Sequence, residues 1–232
     1  MKQIKTIGVS SLKIVGLILL TLLINSIPMY FLAYSASISL ILEILFVILY
    51  MAFLIVIGKH LFSKYFKYDL NAKKKFRFGW KDVGFALLFG LLARVVAVLG
   101  VMIQYLLSGK LISANDASLR GIGANMSFQH PFFLVLFLFT LVVVAPVFEE
   151  LVFRGFGNRL LFNKLVSWLG ALVTSILFVL PHVHSWAEVP TYFMLALVCY
   201  ASYARRGNVL DSIVVHMLNN LLPAIYIFLM ML

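Results

Sequence analysis

Long apolar runs separated by short polar ones fill the whole chain. After a basic start, Met1 to Lys5, one apolar run covers residues 7–33 with Pro28 near its far end. A second covers 36–57 and carries one acid, Glu43. Further runs cover 82–107, 131–154, 168–184, 190–204 and 209–232, separated by polar segments at 59–81, 108–130, 155–167 and 205–207. A helix needs about 20 mostly apolar residues to cross the hydrocarbon layer. A transmembrane β-barrel would instead show alternation with period two in short segments, and these runs are long and continuous. The pattern predicts an all-α, polytopic transmembrane helical bundle of about seven spans, with six or eight also within range. The first run is too long for the apolar stretch of a signal peptide, which takes about 7–15 residues. No internal repeat divides the chain, so residues 1–232 read as a single membrane domain.

Composition agrees with the pattern. Of 232 residues, 63% are hydrophobic and 12% charged, with a mean hydropathy of +1.07. A soluble domain is nearer half apolar and a quarter charged. The net charge of +11 does not indicate nucleic acid, because no basic stripe interleaved with stacking aromatics occurs where a soluble face could form. It reflects loop charge. With the N-terminus placed inside, sixteen of the nineteen Lys and Arg residues fall in inner segments, eight of them in 59–81. Lys110 and Arg120 fall in outer segments and Arg94 within a span. That asymmetry predicts an N-terminus inside the bacterial cytoplasmic membrane, and the 59–81 segment reads as a solvated loop attracted to anionic lipid. Cys199 is the lone cysteine, so an internal disulfide and a multi-cysteine metal site are excluded.

Charged side chains inside spans cost about 2.5–3.5 kcal/mol on insertion scales and mark function or pair with one another. Three clusters stand out. Glu149, Glu150 and Arg154 lie toward the end of the fourth run. Glu150 and Arg154 are four apart and share a helix face, while Glu149 is turned about 100° away. Arg154 can neutralise one carboxylate and leave the other to accept a proton from water. Phe178, Pro181 and His182 form the second cluster; Pro181 breaks the helix there, and irregular backbone at membrane depth is tolerated where it lines a cavity. His184, beside Trp186, reads as interfacial. The third cluster is His216 and Asn220, again four apart on one face, with Asn219 pointing elsewhere as a packing or capping residue. Taken singly, each cluster also fits structural glue between helices. Together they supply a base, a water-orienting group and oxyanion donors, the parts that amide hydrolysis needs. No serine elbow or HExxH helix is present. Glu43 and Arg94 are expected to pair with each other or with backbone groups rather than to line the site.

In these residues the chain resembles the CPBP family of intramembrane peptidases, the CAAX-protease and bacteriocin-processing (Abi) group. The family pattern EExxxR, FxxxH and HxxxN stands here as Glu149-Glu150…Arg154, Phe178…His182 and His216…Asn220, within residues 131–223. The resemblance implies an intramembrane endopeptidase that hydrolyses a peptide bond of a small peptide or membrane-associated protein. It implies Glu149 as base on a water also held by His182, and His216 and Asn220 as oxyanion donors. Glu150 and Arg154 would be support. It leaves a metal open: none is the preferred reading, and a zinc ion would fall to Glu149, His182 and His216. The expected partners are the peptide or membrane-protein substrate and the lipid bilayer, with no nucleic acid. The alternatives are a non-catalytic membrane scaffold or regulator of a signalling or bacteriocin-immunity system, and a small transporter. For the site to close, the fifth span must start late, near Ala171, or break at Pro181, leaving 155–167 as an interfacial or re-entrant helix.

Overall fold

A computed structural model describes residues 2–33, 38–68, 76–114, 117–118, 121, 130–162 and 166–229, with the side chains of 2–7, 32 and 33 excepted. Seven main helices follow in chain order: α1 (Lys2–Ala33), α2 (Leu40–Tyr68), α3 (Trp80–Ser108), α4 (Pro131–Phe162), α5 (Trp168–Val179), α6 (Val189–Ala204) and α7 (Val209–Leu229). A short 3-10 turn, Trp186–Glu188, precedes α6, and the described residues contain no strand. The protein is an all-helical integral membrane protein. Five helices, α1, α2, α3, α4 and α7, are long and apolar enough to cross a membrane. Helix α5 has 12 residues and α6 has 16. At 1.5 Å per residue α5 rises only about 18 Å, short of a hydrocarbon core of about 30 Å.

Helix α4 is the centre of the bundle. Half of its most apolar window is buried, against 17 to 33% for the other four long helices. It is not a uniform helix. Two π-helical segments, Thr140–Val144 and Leu151–Phe156, flank the α-helical turn and a half Ala145–Glu150. Around it stand α1, α2, α5 and α7, while α6 packs against α3, α5 and α7. Helices α3 and α6 approach closely at Gly100, where an added Cβ would lie 2.4 Å from the Thr191 side chain. Small residues let membrane helices close together without a hydrophobic driving force.

Two polar segments turn out to be partly helical. Helix α2 continues to Tyr68, through the first half of the expected loop 59–81, because Leu61 and Tyr65 are buried one turn apart while Lys59, Lys64 and Lys67 face outward. Helix α4 likewise continues through Phe162, since Gly155 to Asn158 are buried against its neighbours. The stretch 155–162 is therefore no separate interfacial helix. The fifth span does break at Pro181: α5 starts at Trp168, ends at Val179 and gives way to a turn. Asp69, Lys73, Lys74, Lys75, Asn115, Asp116, Arg120, Gly123, Asn125 and Lys164 lie outside the described residues.

The helix ends are tied by named groups. The fully buried Glu43 of α2 accepts the Phe133 N–H at 2.7 Å, one of the orphan donors in the first turn of α4, and His130 Nδ1 lies 3.4 Å from its other oxygen. Glu43 thus caps a neighbouring helix, and it does not pair with Arg94. At the other end of the bundle Arg205 and Arg206 follow α6. Arg205 reaches Asp82 of α3, Asp211 of α7 lies 2.9 Å from it, and Arg206 contacts both acids. Gly207, at φ 65°, makes the left-handed turn between α6 and α7 that a side chain would strain.

Glu188 ties two connections. Its carboxylate accepts the N–H of Ala114 at 2.7 Å and of His184 at 2.9 Å. Burial pushes its pKa up, but the backbone N–H groups of Ala114, His184 and Ser185 outweigh that and hold it below the ordinary 4.5. A depressed carboxyl pKa adds stability that is present above the unfolded value and lost as pH falls through the folded one. Melting of the purified protein between pH 6 and 3 should therefore show a loss of stability below about pH 4.5 that is smaller in Glu188→Gln. Glu43→Ala leaves the Phe133 N–H buried and unpaired and should cost about 1–3 kcal/mol in the same melts at neutral pH.

Candidate active site

The three sequence clusters meet around Glu149. Its side chain is 7% exposed, and Oε2 lies 3.6 Å from His182 Nε2 and 3.9 Å from His216 Nε2. Both separations exceed a direct hydrogen bond; they leave the three groups facing one small space. Local structure brings them there. Glu149 sits on the α-helical step between the two π segments. Such bulges shift the phase of a helix and often occur at functional sites. Pro146 helps set the first one. The Ala145 N–H reaches back to Thr140 O, and Pro146 has no N–H to give the next carbonyl, Leu141 O. Asn220 of α7 takes that carbonyl, its Nδ2 donating at 3.0 Å.

The break at Pro181 presents His182. The ring Nδ1 donates to Phe178 O, 2.6 Å away, so the imidazole caps a carbonyl at the end of α5. That bond assigns the proton to Nδ1 in the neutral ring and turns Nε2 toward Glu149. The Phe178 ring stacks on the His182 ring at 4.3 Å and carries the Arg154 guanidinium 4.8 Å from its centroid. The spacing FxxxH thus has a physical basis. One residue supplies both the carbonyl and the aromatic face that fix the imidazole four positions later.

Beneath this layer lies a charge pair. Arg154 and Glu150 are both 0% exposed, with Nη1 3.1 Å from Oε1. Arg154 Nη2 also donates to Ala196 O of α6 at 2.8 Å, and His216 Nδ1 lies 2.9 Å from Glu150 Oε1. The sequence spacing placed Glu150 and Arg154 on one face, and there they pair. His216 resembles His182 in having Nδ1 engaged and Nε2 turned to Glu149.

Asn220 lines the same cavity, but one of its amide hydrogens is spent on Leu141 O and its Oδ1 accepts from Asn219 at 3.2 Å. The second hydrogen on Nδ2 remains for another acceptor. Arg94, expected away from the site, lines the cavity and donates to Asn219 Oδ1. Asn219 is therefore a partner for a membrane-embedded cation. His184 is exposed, as is Trp186 at 90%.

Two side chains escaped sequence reasoning. Asn25 of α1 donates to Glu149 Oε1 at 2.7 Å. Asn158, fully buried, donates to Arg154 O at 3.1 Å and lies 2.9 Å from the Tyr200 hydroxyl. Each is a polar residue in or beside an apolar run, which was the available signal. Neither belongs to a spaced pair, so pattern alone did not raise them.

The cluster opens on a cavity of about 870 Å³ walled mainly by apolar side chains of α1, α3 and α4, among them Leu22, Met29, Val98 and Met102. Two donor sets near it bear on a metal. Glu150, Cys199 and His216 bring ligand atoms within 4.8 Å of one another. Glu150 Oε1 there already faces Arg154 and the His216 Nδ1, so a cation would have to displace a guanidinium. Glu149 Oε2 with the two Nε2 atoms is the better set, because both rings have their other nitrogen hydrogen-bonded, as metal-ligating histidines do.

A helical membrane bundle with a buried Glu/His cluster opening on an apolar cavity defines the class of polytopic membrane proteins with an intramembrane polar site. The comparisons narrow it. The family model described as Type II CAAX prenyl endopeptidase Rce1-like matches residues 131–222, and the chain belongs to this CPBP group. It is similar to the membrane-embedded CAAX protease MroQ of Staphylococcus aureus strain USA300, 27% identical over 162 residues, 66% of this chain and 60% of that protein. It is 30% identical to the UPF0177 protein YbdI of Lactococcus lactis strain IL1403 over 130 residues, 56% of this chain and 69% of that one. No solved structure matches.

Removal of Arg154 tests the charge pair. Arg154→Ala leaves Glu150 buried without its counter-charge and should cost about 3–5 kcal/mol. Arg154→Lys should recover only part of this, because an ammonium does not reproduce the fork that spans Glu150 and Ala196 O. Chemical or thermal unfolding in detergent reads both.

Proposed function

We propose that the protein is an intramembrane endopeptidase that cleaves a small peptide or membrane-associated protein with a water activated by Glu149 and His182. The observation that carries this reading is the convergence of Glu149 Oε2 with two imidazole Nε2 atoms, at 3.6 and 3.9 Å, beside a cavity of about 870 Å³. Membership of the Rce1-like family supports it, as does the printed name of the staphylococcal relative. Cavities of roughly 300–1,000 Å³ suit small ligands, and the apolar walls suit a short extended segment of apolar peptide.

In this mechanism the water sits between Glu149 Oε2 and His182 Nε2. Glu149 takes one of its protons as the oxygen bonds to the scissile carbonyl carbon. The carbonyl π electrons move to oxygen, giving a tetrahedral oxyanion. His216 donates to it from Nε2, with Glu150 placed against Nδ1, and the remaining Asn220 N–H is the second donor. Preorganised donors in a site shielded from water stabilise such charge strongly. The C–N bond then breaks and the proton held by Glu149 passes to the leaving amine.

The proposal includes no metal. Arg154 already engages Glu150, so a dication held at Glu149 would have one carboxylate there against its two charges. Were a metal bound, Glu149, His182 and His216 would hold it, and it would supply Lewis-acid polarisation of the water. The proposed setting is the bacterial cytoplasmic membrane with the N-terminus inside, supported by the loop charge asymmetry.

The test is cleavage of a panel of quenched peptides, prenylated and unprenylated, by purified protein in detergent. Glu149→Gln and His182→Ala should each lose at least about 100-fold in kcat while melting near the wild type. Added chelator should leave the wild-type rate unchanged. A folded, active Glu149→Gln variant would sink the mechanism; loss of activity with chelator, restored by zinc, would sink the metal-free form of it.

A further inference from the structure

We infer that Asn25, on α1 and outside the family-matched region 131–222, is a positioning residue that fixes the Glu149 carboxylate plane so that one oxygen is held toward the two imidazoles. This inference rests on the peptidase reading above.

The last torsion of a glutamate side chain is broad. Left alone, the Glu149 carboxylate plane would turn about it and hold neither oxygen fixed toward the water. Asn25 removes that freedom: its Nδ2 donates to Oε1 at 2.7 Å, while Oε2 is the oxygen that faces His182 and His216. The orientation of the amide is fixed by chemistry, since an ionised carboxylate only accepts and the bonded atom must be the nitrogen. Asn25 Oδ1 then points away from Glu149. It is buried with no hydrogen-bond partner. An amide that bonds Glu149 while its oxygen stays unsatisfied is held there for that bond.

Helix α1 is anchored at this turn. Pro28 has no N–H, which leaves Ile24 O without its donor four residues on. The Tyr50 hydroxyl of α2 fills that place, donating to Ile24 O at 2.6 Å. The carbonyl next to Asn25 is therefore pinned from a second helix, and Ile24 itself is fully buried. Asn25 also lines the cavity, so its contact with Glu149 is made at the wall where substrate would lie.

Three variants of the full chain separate positioning from mere helix–helix contact. Asn25→Leu keeps the approximate size and removes the donor. Asn25→Asp keeps the shape and replaces the donor with a second carboxylate. Asn25→Gln keeps the donor on a longer arm. With peptides from the panel, Asn25→Leu and Asn25→Asp should lower kcat about 10- to 100-fold, the range for losing a hydrogen bond to a charged group. KM should stay within about twofold, and Asn25→Gln should recover part of the rate. If Leu and Asp variants turn over at the wild-type kcat, or lose rate only in proportion to unfolded protein, the inference is overturned. The Glu149 carboxylate stretch, isolated as the infrared difference between wild type and Glu149→Gln, should shift in Asn25→Leu. An unshifted band overturns the contact itself. An inert wild type with a shifted band overturns the peptidase reading, and the positioning role with it, while the contact stands.

Discussion

The buried pair between Arg154 and Glu150 is the interaction on which the remainder of the site depends. Two unscreened charges in the middle of a membrane bundle are tolerable only when each is neutralised and hydrogen-bonded. Here the pair recruits its partners from three other helices. The guanidinium takes a carbonyl of α6 and lies on the Phe178 ring of α5; the carboxylate takes the His216 ring of α7. Both charges come from α4 itself. Meeting the demands of one ion pair therefore fixes α5, α6 and α7 around α4, and in doing so sets the Phe178 and His216 rings beside Glu149. Support and proposed chemistry are two layers of one arrangement. The lower layer is neutralised within itself by the Arg154–Glu150 pair, while the upper layer faces a cavity.

Proline is the second organising element, and it works through carbonyls. Within lipid, every backbone carbonyl needs a donor from inside the protein, and each proline in or after a helix withholds one. At three of them the chain answers with side chains, and two of these, Asn220 and His182, line the cavity. Pro28 leaves Ile24 O to Tyr50, next to Asn25. Pro146 leaves Leu141 O to Asn220. After the break at Pro181, Phe178 O is bonded by His182. In each case the compensating bond orients a polar group within one turn of the cavity. The irregularities of α1, α4 and α5 are thus the means by which straight apolar helices present polar atoms at one depth.

Much of this was legible in the sequence. Apolar runs gave the helices, and i, i+4 spacing gave the Glu150–Arg154 pair and the shared face of His216 and Asn220. The proline after Val179 gave the break that lets a short α5 reach the site. What the sequence did not give were contacts without periodic support. Asn25 is 124 positions from Glu149 and lies alone in an apolar run, so only the packing of α1 on α4 brings them together. Glu43 and Arg94 were expected to pair with each other or with backbone groups. Glu43 takes the backbone N–H of Phe133 at the start of α4, while Arg94 meets the Asn219 side chain on the cavity wall. Helix ends were misjudged where lysines lay on the outer face. Lys59, Lys64 and Lys67 hide the buried stripe of Leu61 and Tyr65 that carries α2 onward.

The division between matched and unmatched sequence follows from these constraints. Residues 131–222 hold the ion pair, the two imidazoles and Glu149. Each is bound to at least one other by charge or hydrogen bond, so changing one leaves a buried group unsatisfied. Helices α1 and α3 contribute mostly apolar side chains to the cavity, several of them exposed on its outer rim, such as Leu22, Val98 and Met102. Swapping one apolar side chain for another there alters the shape of the cavity without stranding a charge. Physical tolerance is therefore greatest along the apolar walls and least in the charged cluster. Asn25 is the α1 side chain that bonds Glu149 and so joins a wall helix to the charged layer. Because it is held by Glu149 and by the anchored turn at Ile24, its helix cannot slide along α4 without disturbing the carboxylate. The apolar wall and the charged cluster are mechanically joined at that point.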